Sequence, residues 1–275
     1  MKGGPFMYNN TLAKLDSQAK QKHGLLDSSP LRYFLAAMLA GAYVGVGSIV
    51  LFSVGDPFYQ VSSPFLSVVT GATFGLALAL VLWAGSELFT GSHLIFTASS
   101  LSGTTTWKQT ASIWSWSFVG NLVGALLLSY LVFLTGIFAD AGAHHYMMSL
   151  AADKMNAPLQ ELLFRGILCN WIVCLAIWTS LRAEGDIAKL FLIFVLIFAF
   201  IASGFEHSVA NMSILGMALF HGGNDMVTIG GFFYNLIPVT IGNVIGGALF
   251  VAGAYVAISQ KKNESSPKQV DKKSG

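Results

Sequence analysis

Residues 202–212 read Ala202-Ser203-Gly204-Phe205-Glu206-His207-Ser208-Val209-Ala210-Asn211-Met212. A glycine, a carboxylate and an imidazole here interrupt an otherwise apolar run that extends from Ile187 to Phe220. A helix needs only about 20 apolar residues to cross roughly 30 Å of hydrocarbon, so the run reads as a membrane span that breaks in its middle. Non-helical backbone at that depth is tolerated only where protein or a watery cavity satisfies its polar groups, which makes the break a candidate site. An ionisable residue within a span is a functional candidate by default, and His207 titrates near neutral pH. The plain alternative is a neutral histidine bonded to a backbone carbonyl.

The rest of the chain is similar material. Of 275 residues, 54% are apolar and 10% charged, where a soluble domain carries about 25% charged residues, so the bilayer is the expected solvent. A net charge of +2 does not suggest a nucleic-acid surface, and two cysteines make no disulfide framework. Long apolar runs extend from Leu31 to Val54, Pro64 to Ser100, Ala111 to Thr135, Pro158 to Leu181, Ile187 to Phe220 and Phe232 to Ser259. The second and fifth are too long for one straight span and hold the breaks. The chain is therefore expected to be an all-α membrane protein with six transmembrane helices over residues 31–259. Residues 1–30 lack the marks of a signal peptide, and Leu12, Leu15 and Ala19 recur at helical spacing, as in an amphipathic helix lying on the membrane surface. Residues 260–275 are rich in lysine and serine and are expected to be disordered.

Orientation follows from the basic residues, which cytoplasmic loops retain. Ten of the 15 lysines and arginines lie at the two ends of the chain, and Lys108, Arg182 and Lys189 fall in connections on the same side of a six-span path. Lys154 and Arg165 fall on the other side. Both termini are thus expected in the cytoplasm, with the protein passing repeatedly through the cytoplasmic membrane.

The chain also contains a degenerate copy of itself. Gly85-Ser86-Glu87 returns as Gly204-Phe205-Glu206, and Gly120-Asn121-Leu122-Val123-Gly124 returns as Gly242-Asn243-Val244-Ile245-Gly246. Three crossings per half place the second half upside down, the 3+3 inverted plan of transporters, in which interrupted helices 2 and 5 meet near the midplane. Each break puts a carboxylate, Glu87 or Glu206, near a half-helix N-terminus, where free N–H groups and the helix dipole favour negative charge. Their plain role is to cap the broken helices; contact with a passing substrate is the alternative.

Other polar residues speak less clearly. Asn121 and Asn243 are expected to hydrogen-bond between helices, while Asn170 and Asn211 are open between packing and ligand. Cys169 and Cys174 fall on different helix faces, and no spacing suggests a metal, so neither metal nor cofactor is expected. His144 and His145 read as solvated loop residues. Lys154, on a side poor in positive charge, would attract anions to a pore mouth or be an ordinary loop lysine.

From about residue 30 to 258 the chain resembles the formate/nitrite transporter family. The resemblance is carried by Gly71-Ala72-Thr73-Phe74-Gly75, Glu87-Leu88-Phe89-Thr90, Leu168-Cys169-Asn170-Trp171, the 202–212 stretch and Asn235-Leu236-Ile237-Pro238-Val239-Thr240-Ile241-Gly242-Asn243. It implies an aquaporin-like protomer in a homopentamer with one pore per subunit. By the same resemblance His207 is the central histidine and Thr90, in the first break, its hydrogen-bonding neighbour. Lys154 lies at the outer vestibule with Asn170 nearby, and Phe74, Leu78, Leu88 and Phe200 form hydrophobic constrictions. Arg165 before Gly166, and the short connection from Met212 to Asn235, look more like the nitrite branch. Nitrite is therefore the first choice among small monovalent anions, with formate or hydrosulfide as alternatives.

Moving a bare carboxylate-sized ion into low dielectric costs of order 20 kcal/mol in the Born limit, so an apolar constriction should stop an anion that nothing helps. The expected mechanism has Lys154 and the half-helix ends drawing the anion in, and His207 giving it a proton or a strong hydrogen bond. An aquaporin-type neutral-solute channel is the rival from another class, but the Asn-Pro-Ala starts of that family are missing. An enzyme is not expected, since no His-Glu-x-x-His, Gly-x-Ser-x-Gly or paired-aspartate motif occurs.

Overall fold

A computed structural model describes residues 8–259. Regular structure among the described residues is helical: α1 (Asn9–Ser28), α2 (Pro30–Gln60), α3 (Leu66–Leu80) continued by a π-helical turn (Val81–Gly85), α4 (Phe89–Leu101), α5 (Trp107–Thr135), α6 (Tyr146–Asn156), α7 (Leu159–Arg182), α8 (Asp186–Ala202), α9 (Ser208–His221), and α10 (Ile229–Ile245) running through a π-helical stretch (Gly246–Gly253) into α11 (Ala254–Ser259). Residues 1–7 and the tail 260–275 lie outside the described residues.

Among the described residues five stretches are long and apolar enough to cross a membrane: Pro30–Gln60, Leu66–Gly85, Trp107–Thr135, Leu159–Arg182 and Ile229–Ser259, with mean hydropathies from 1.8 to 2.1. The fifth span expected from the sequence is divided between α8 and α9, of 17 and 14 residues, which at 1.5 Å per residue reach only about 26 and 21 Å. The exterior of the bundle is apolar as a bilayer requires. Val119, Val123, Leu127 and Leu131 of α5 and Ile229, Phe233, Ile237 and Ile241 of α10 recur every fourth residue and are all exposed.

Glycine sets the helix approach. In α5 and at the junction of α10 with its π-helical stretch the matched Gly-x-x-x-Gly segments bring backbones into contact, and a Cβ at Gly124 would overlap the Met38 carbonyl of α2, as one at Gly246 would overlap the Ile167 carbonyl of α7. Gly124→Ala is expected to destabilise the fold by about 1–3 kcal/mol, the usual cost of overpacking. Its thermal unfolding in detergent checks this, and an unchanged midpoint would mean that the two helices part at no cost.

Two differences from the sequence-based expectation matter for the site. The segment read as a loop before the fourth span contains α6, whose Met147, Met148, Ala151 and Met155 are buried. This helix is short and polar on one face, so a search for long apolar runs passes over it. The first break is also shorter than expected: α4 begins at Phe89, so Thr90 is in its first turn and not in a loop. On the opposite side of the bundle, α1 turns Leu15, Ala19 and Leu26 into the protein, where they pack with Leu94, Phe96 and Trp178.

Candidate functional site

Both breaks begin the same way. Gly85 (φ 80°) and Gly204 (φ 70°) adopt the left-handed conformation that glycine reaches without strain. No heavy atom stands where their Cβ would be, so conformation, and not space, calls for glycine. The chain then runs extended to the next half-helix, α4 or α9, with Leu88 and His207 at the respective N-caps.

One asparagine holds each break. Asn121 Nδ2 donates to the carbonyls of Ala37 (2.8 Å) and Glu87 (2.9 Å), and its Oδ1 accepts from Phe89 N–H (2.9 Å). Asn243 Nδ2 donates to Gly166 (2.8 Å) and Glu206 (2.9 Å), and its Oδ1 accepts from Ser208 N–H (2.8 Å). The N–H groups of Glu87 and Glu206 complete the match by donating to Ala36 and Arg165 carbonyls. Six of these eight contacts satisfy backbone that the interrupted helices leave without internal partners, and the other two anchor each amide to α2 or α7. The expectation of inter-helix hydrogen bonding for the two asparagines holds, and the capping role given to the glutamates does not. Each carboxylate turns instead to a lysine, which offers a charge-assisted partner.

Those pairs mark two vestibules of about 450 Å³ each. In the first, Glu87 receives Lys22 of α1 on both carboxylate oxygens at 2.7 Å. In the second, Glu206 receives Lys154 of α6 at 2.8 Å on Oε1 and Asn211 Nδ2 at 2.6 Å on Oε2. Lys154 belongs to the last turn of α6 and is not a loop residue. Glu206 is 3% exposed, so its charge is compensated inside the protein.

Between the vestibules lies a chamber of about 20 Å³ bounded by Val44, Phe74, Ala77, Leu78, Leu88, Val173, Ile197, Phe200 and His207. Leu78 and Leu88 also line the Lys22 vestibule, while Phe200 and His207 also line the Lys154 vestibule. The four expected constriction residues therefore surround one small space, in which the rings of Phe74 and Phe200 meet edge to face (6.1 Å, 90°). That volume holds about one water molecule, so a small ion enters it without its hydration shell.

His207 is the polar wall of this chamber. Its Nδ1 accepts a hydrogen bond from Ala210 N–H (3.1 Å) in the first turn of α9, so that nitrogen carries no hydrogen and the ring proton sits on Nε2. Nε2 lies 2.9 Å from Thr90 Oγ1 and is the donor of that bond. Thr90 is fully buried, and α4 and α9 thus meet through one side-chain hydrogen bond.

Asn170 is placed differently from its expected position beside the vestibule. It is fully buried and lines none of the three spaces, with Nδ2 reaching the Thr90 and Asn243 carbonyls from behind (3.3 and 2.6 Å). Asn211, left open by its sequence context, joins Glu206 to Asn235, which in turn donates to the Lys154 carbonyl (2.9 Å). His145 is likewise no solvated loop residue. It caps α6 through Nδ1 (3.1 Å to Met147 N) and faces Asp56 at 3.7 Å, and burial lowers its pKa below the ordinary histidine value. The residue that sequence reasoning missed outright is Lys22, whose reach to Glu87 depends on how α1 docks, although a lysine on a surface helix opposite a break in the repeat was a usable signal.

A family model described as formate/nitrite transporter matches residues 9–257. The chain is 38% identical over 253 residues to the Bacillus subtilis transporter YwcJ (92% of this chain, 99% of that one). It is also 38% identical over 268 residues to the Salmonella typhimurium nitrite transporter NirC (96% and 97%). Among solved structures it is similar to an FNT family ion channel (TM-score 0.85, 39% identity, 90% of this chain and 98% of that one). It is similar as well to a pentameric formate channel with formate bound (TM-score 0.70, 28% identity, 84% and 97%).

Proposed function

The chain belongs to the formate/nitrite transporter family, and we propose that it is a channel for small monovalent weak-acid anions, with nitrite as the first choice and formate or hydrosulfide as alternatives. It is a multi-pass membrane protein of a transporter family. The finer reading is six spans, α8 and α9 together making the fifth, in an inverted 3+3, aquaporin-like arrangement. The matched bonds of Asn121 and Asn243 support the repeat. A homopentamer is supported by the pentameric neighbour and by the apolar bundle exterior. The run of basic residues supports cytoplasmic termini, which puts Lys22 on the inner side and Lys154 on the outer side of the cytoplasmic membrane.

One observation carries the functional reading: His207 stands where the apolar chamber opens to the Lys154 vestibule, with an Nε2–H that is bonded to Thr90 and reaches an anion by sharing or leaving that hydroxyl. The lysine ammonium groups, each already paired with a glutamate, offer their remaining N–H donors to an anion in the vestibules, the constriction strips water from the ion, and Nε2–H replaces part of the lost hydration. Proton involvement takes a definite form. If Nε2 gives its hydrogen to the anion, Nδ1 must take one up, since a buried imidazolate would be another bare anion, and Nδ1 is held by Ala210 N–H. The histidine therefore serves first as a hydrogen-bond donor, and passing a proton through the ring costs the cap on α9.

Competing uptake of nitrite, formate and hydrosulfide into proteoliposomes across pH tests the reading. Osmotic swelling without anion flux would move the protein to the neutral-solute class. Lys154→Ala is expected to raise the half-saturating outer anion concentration about tenfold, the low end of what focused charge contributes, with a smaller change in the saturating rate. An unaltered concentration dependence would remove Lys154 from recruitment.

A further inference from the structure

Behind the Thr90–His207 pair stands a second imidazole that the passage does not use. His93 lies one turn beyond Thr90 on α4 and is fully buried, and its Nδ1 is 3.0 Å from Asn170 Nδ2. The same amide nitrogen reaches the carbonyls of Thr90 and Asn243. Two carbonyl neighbours fix which end of the Asn170 amide is the nitrogen, because a carbonyl only accepts. The nitrogen has two hydrogens for three neighbours, and His93, which also neighbours the Asn243 backbone, meets them with Nδ1 as acceptor in the tautomer that carries its hydrogen on Nε2. His93 Nε2 has no hydrogen-bond partner among the described residues. The ring is wedged between Phe89 (4.4 Å between centres, 81°) and Trp114 (4.9 Å, 83°). A Cβ on Gly247 would crowd the Asn170 amide, the Cys174 sulfur and His93 together, so the pocket has no slack.

A buried imidazole with one nitrogen among aromatic rings and the other on an amide has its specific work at Nδ1. We propose that His93 is a positioning residue for the Thr90–His207 pair. It fixes the amide of Asn170, the amide fixes the Thr90 carbonyl, and the first turn of α4 then holds the Thr90 hydroxyl at His207 Nε2. The contact path runs through the carbonyl of Thr90 and not through its hydroxyl, so it conveys orientation and no proton. The inference rests on the reading of His207 as the polar element of the passage.

The test compares two amides of nearly equal bulk. His93→Asn puts an acceptor where Nδ1 stands, and His93→Gln puts its amide where Nε2 stands. In proteoliposomes, nitrite and formate flux through His93→Asn should stay within about twofold of the parent, while His93→Gln should lose about two- to tenfold, the span of one buried hydrogen bond. In an Asn170→Ala background, His93→Gln should add no further loss, as expected for residues acting in series. The ring ¹⁵N signals of His207 should move in His93→Gln and stay in place in His93→Asn, and this readout needs no transport. Equal flux and equal His207 signals in the two amide variants, or full additivity with Asn170→Ala, would overturn the proposal. A parent protein without anion flux would instead overturn the channel reading, with the His207 signals still deciding the role of His93.

Discussion

His207→Ala should lower nitrite and formate flux by about a hundredfold. The parent chamber has room for about one water-sized occupant, and its remaining walls are apolar. An anion entering it gives up hydration worth several kcal/mol even after protein relaxation. Nε2–H is the side-chain donor that borders the space, and each 1.4 kcal/mol of lost stabilisation is a factor of ten. Removing a charge-assisted hydrogen bond together with the favourable orientation of Thr90 accounts for two such factors. The substitution also removes the Nδ1 cap on α9, a loss of about 1 kcal/mol that the bundle should tolerate. Flux into liposomes and thermal unfolding in detergent separate the two effects. Wild-type flux would show that the histidine is scaffold.

Asn243→Ala should abolish assembly. Truncation leaves the Gly166 and Glu206 carbonyls and the Ser208 N–H without their side-chain partner. The Gly166 carbonyl keeps its place in the α7 ladder, but the Glu206 carbonyl and the Ser208 N–H are orphaned at about 1–3 kcal/mol each, a sum that reaches the low end of the roughly 5–15 kcal/mol that holds a typical domain. Asn243→Asp is expected to fare no better, because it keeps an acceptor for Ser208 N–H but turns an oxygen toward two carbonyls. Asn121→Ala should behave in the same way at the other break. Extraction yield and the unfolding midpoint measure the loss. A midpoint within a few degrees of the parent would mean that water replaces the amide at the break.

How far the sequence reached follows the physics of each residue. Charge and glycine inside an apolar run are out of place, so the breaks, Glu87, Glu206 and His207 stood out at once. Phe74, Leu78, Leu88 and Phe200 did not, since a pore-lining apolar side chain and a core one are chemically the same; only the family resemblance separated them. The dipole argument assigned the glutamates to capping because it weighs one helix at a time. The structure gives that task to Asn121 and Asn243 and pairs the carboxylates with lysines 65 and 52 residues away in sequence. No local pattern contains such distances. Helix α6 was hidden by its length, and the π-helical stretches leave no distinct periodicity in residues that remain apolar throughout.

The two breaks are built from matched bonds, yet one carries a histidine and the other a leucine at the corresponding cap. A duplicated frame thus holds unduplicated chemistry. On the proposed path an anion from the Lys154 vestibule would meet His207 before the apolar layer of Leu78 and Leu88, whereas one from the Lys22 vestibule would meet the layer first. On the proposed reading a matched pair of breaks makes a vectorial passage, whose two directions of travel would climb the same barrier from unequal slopes.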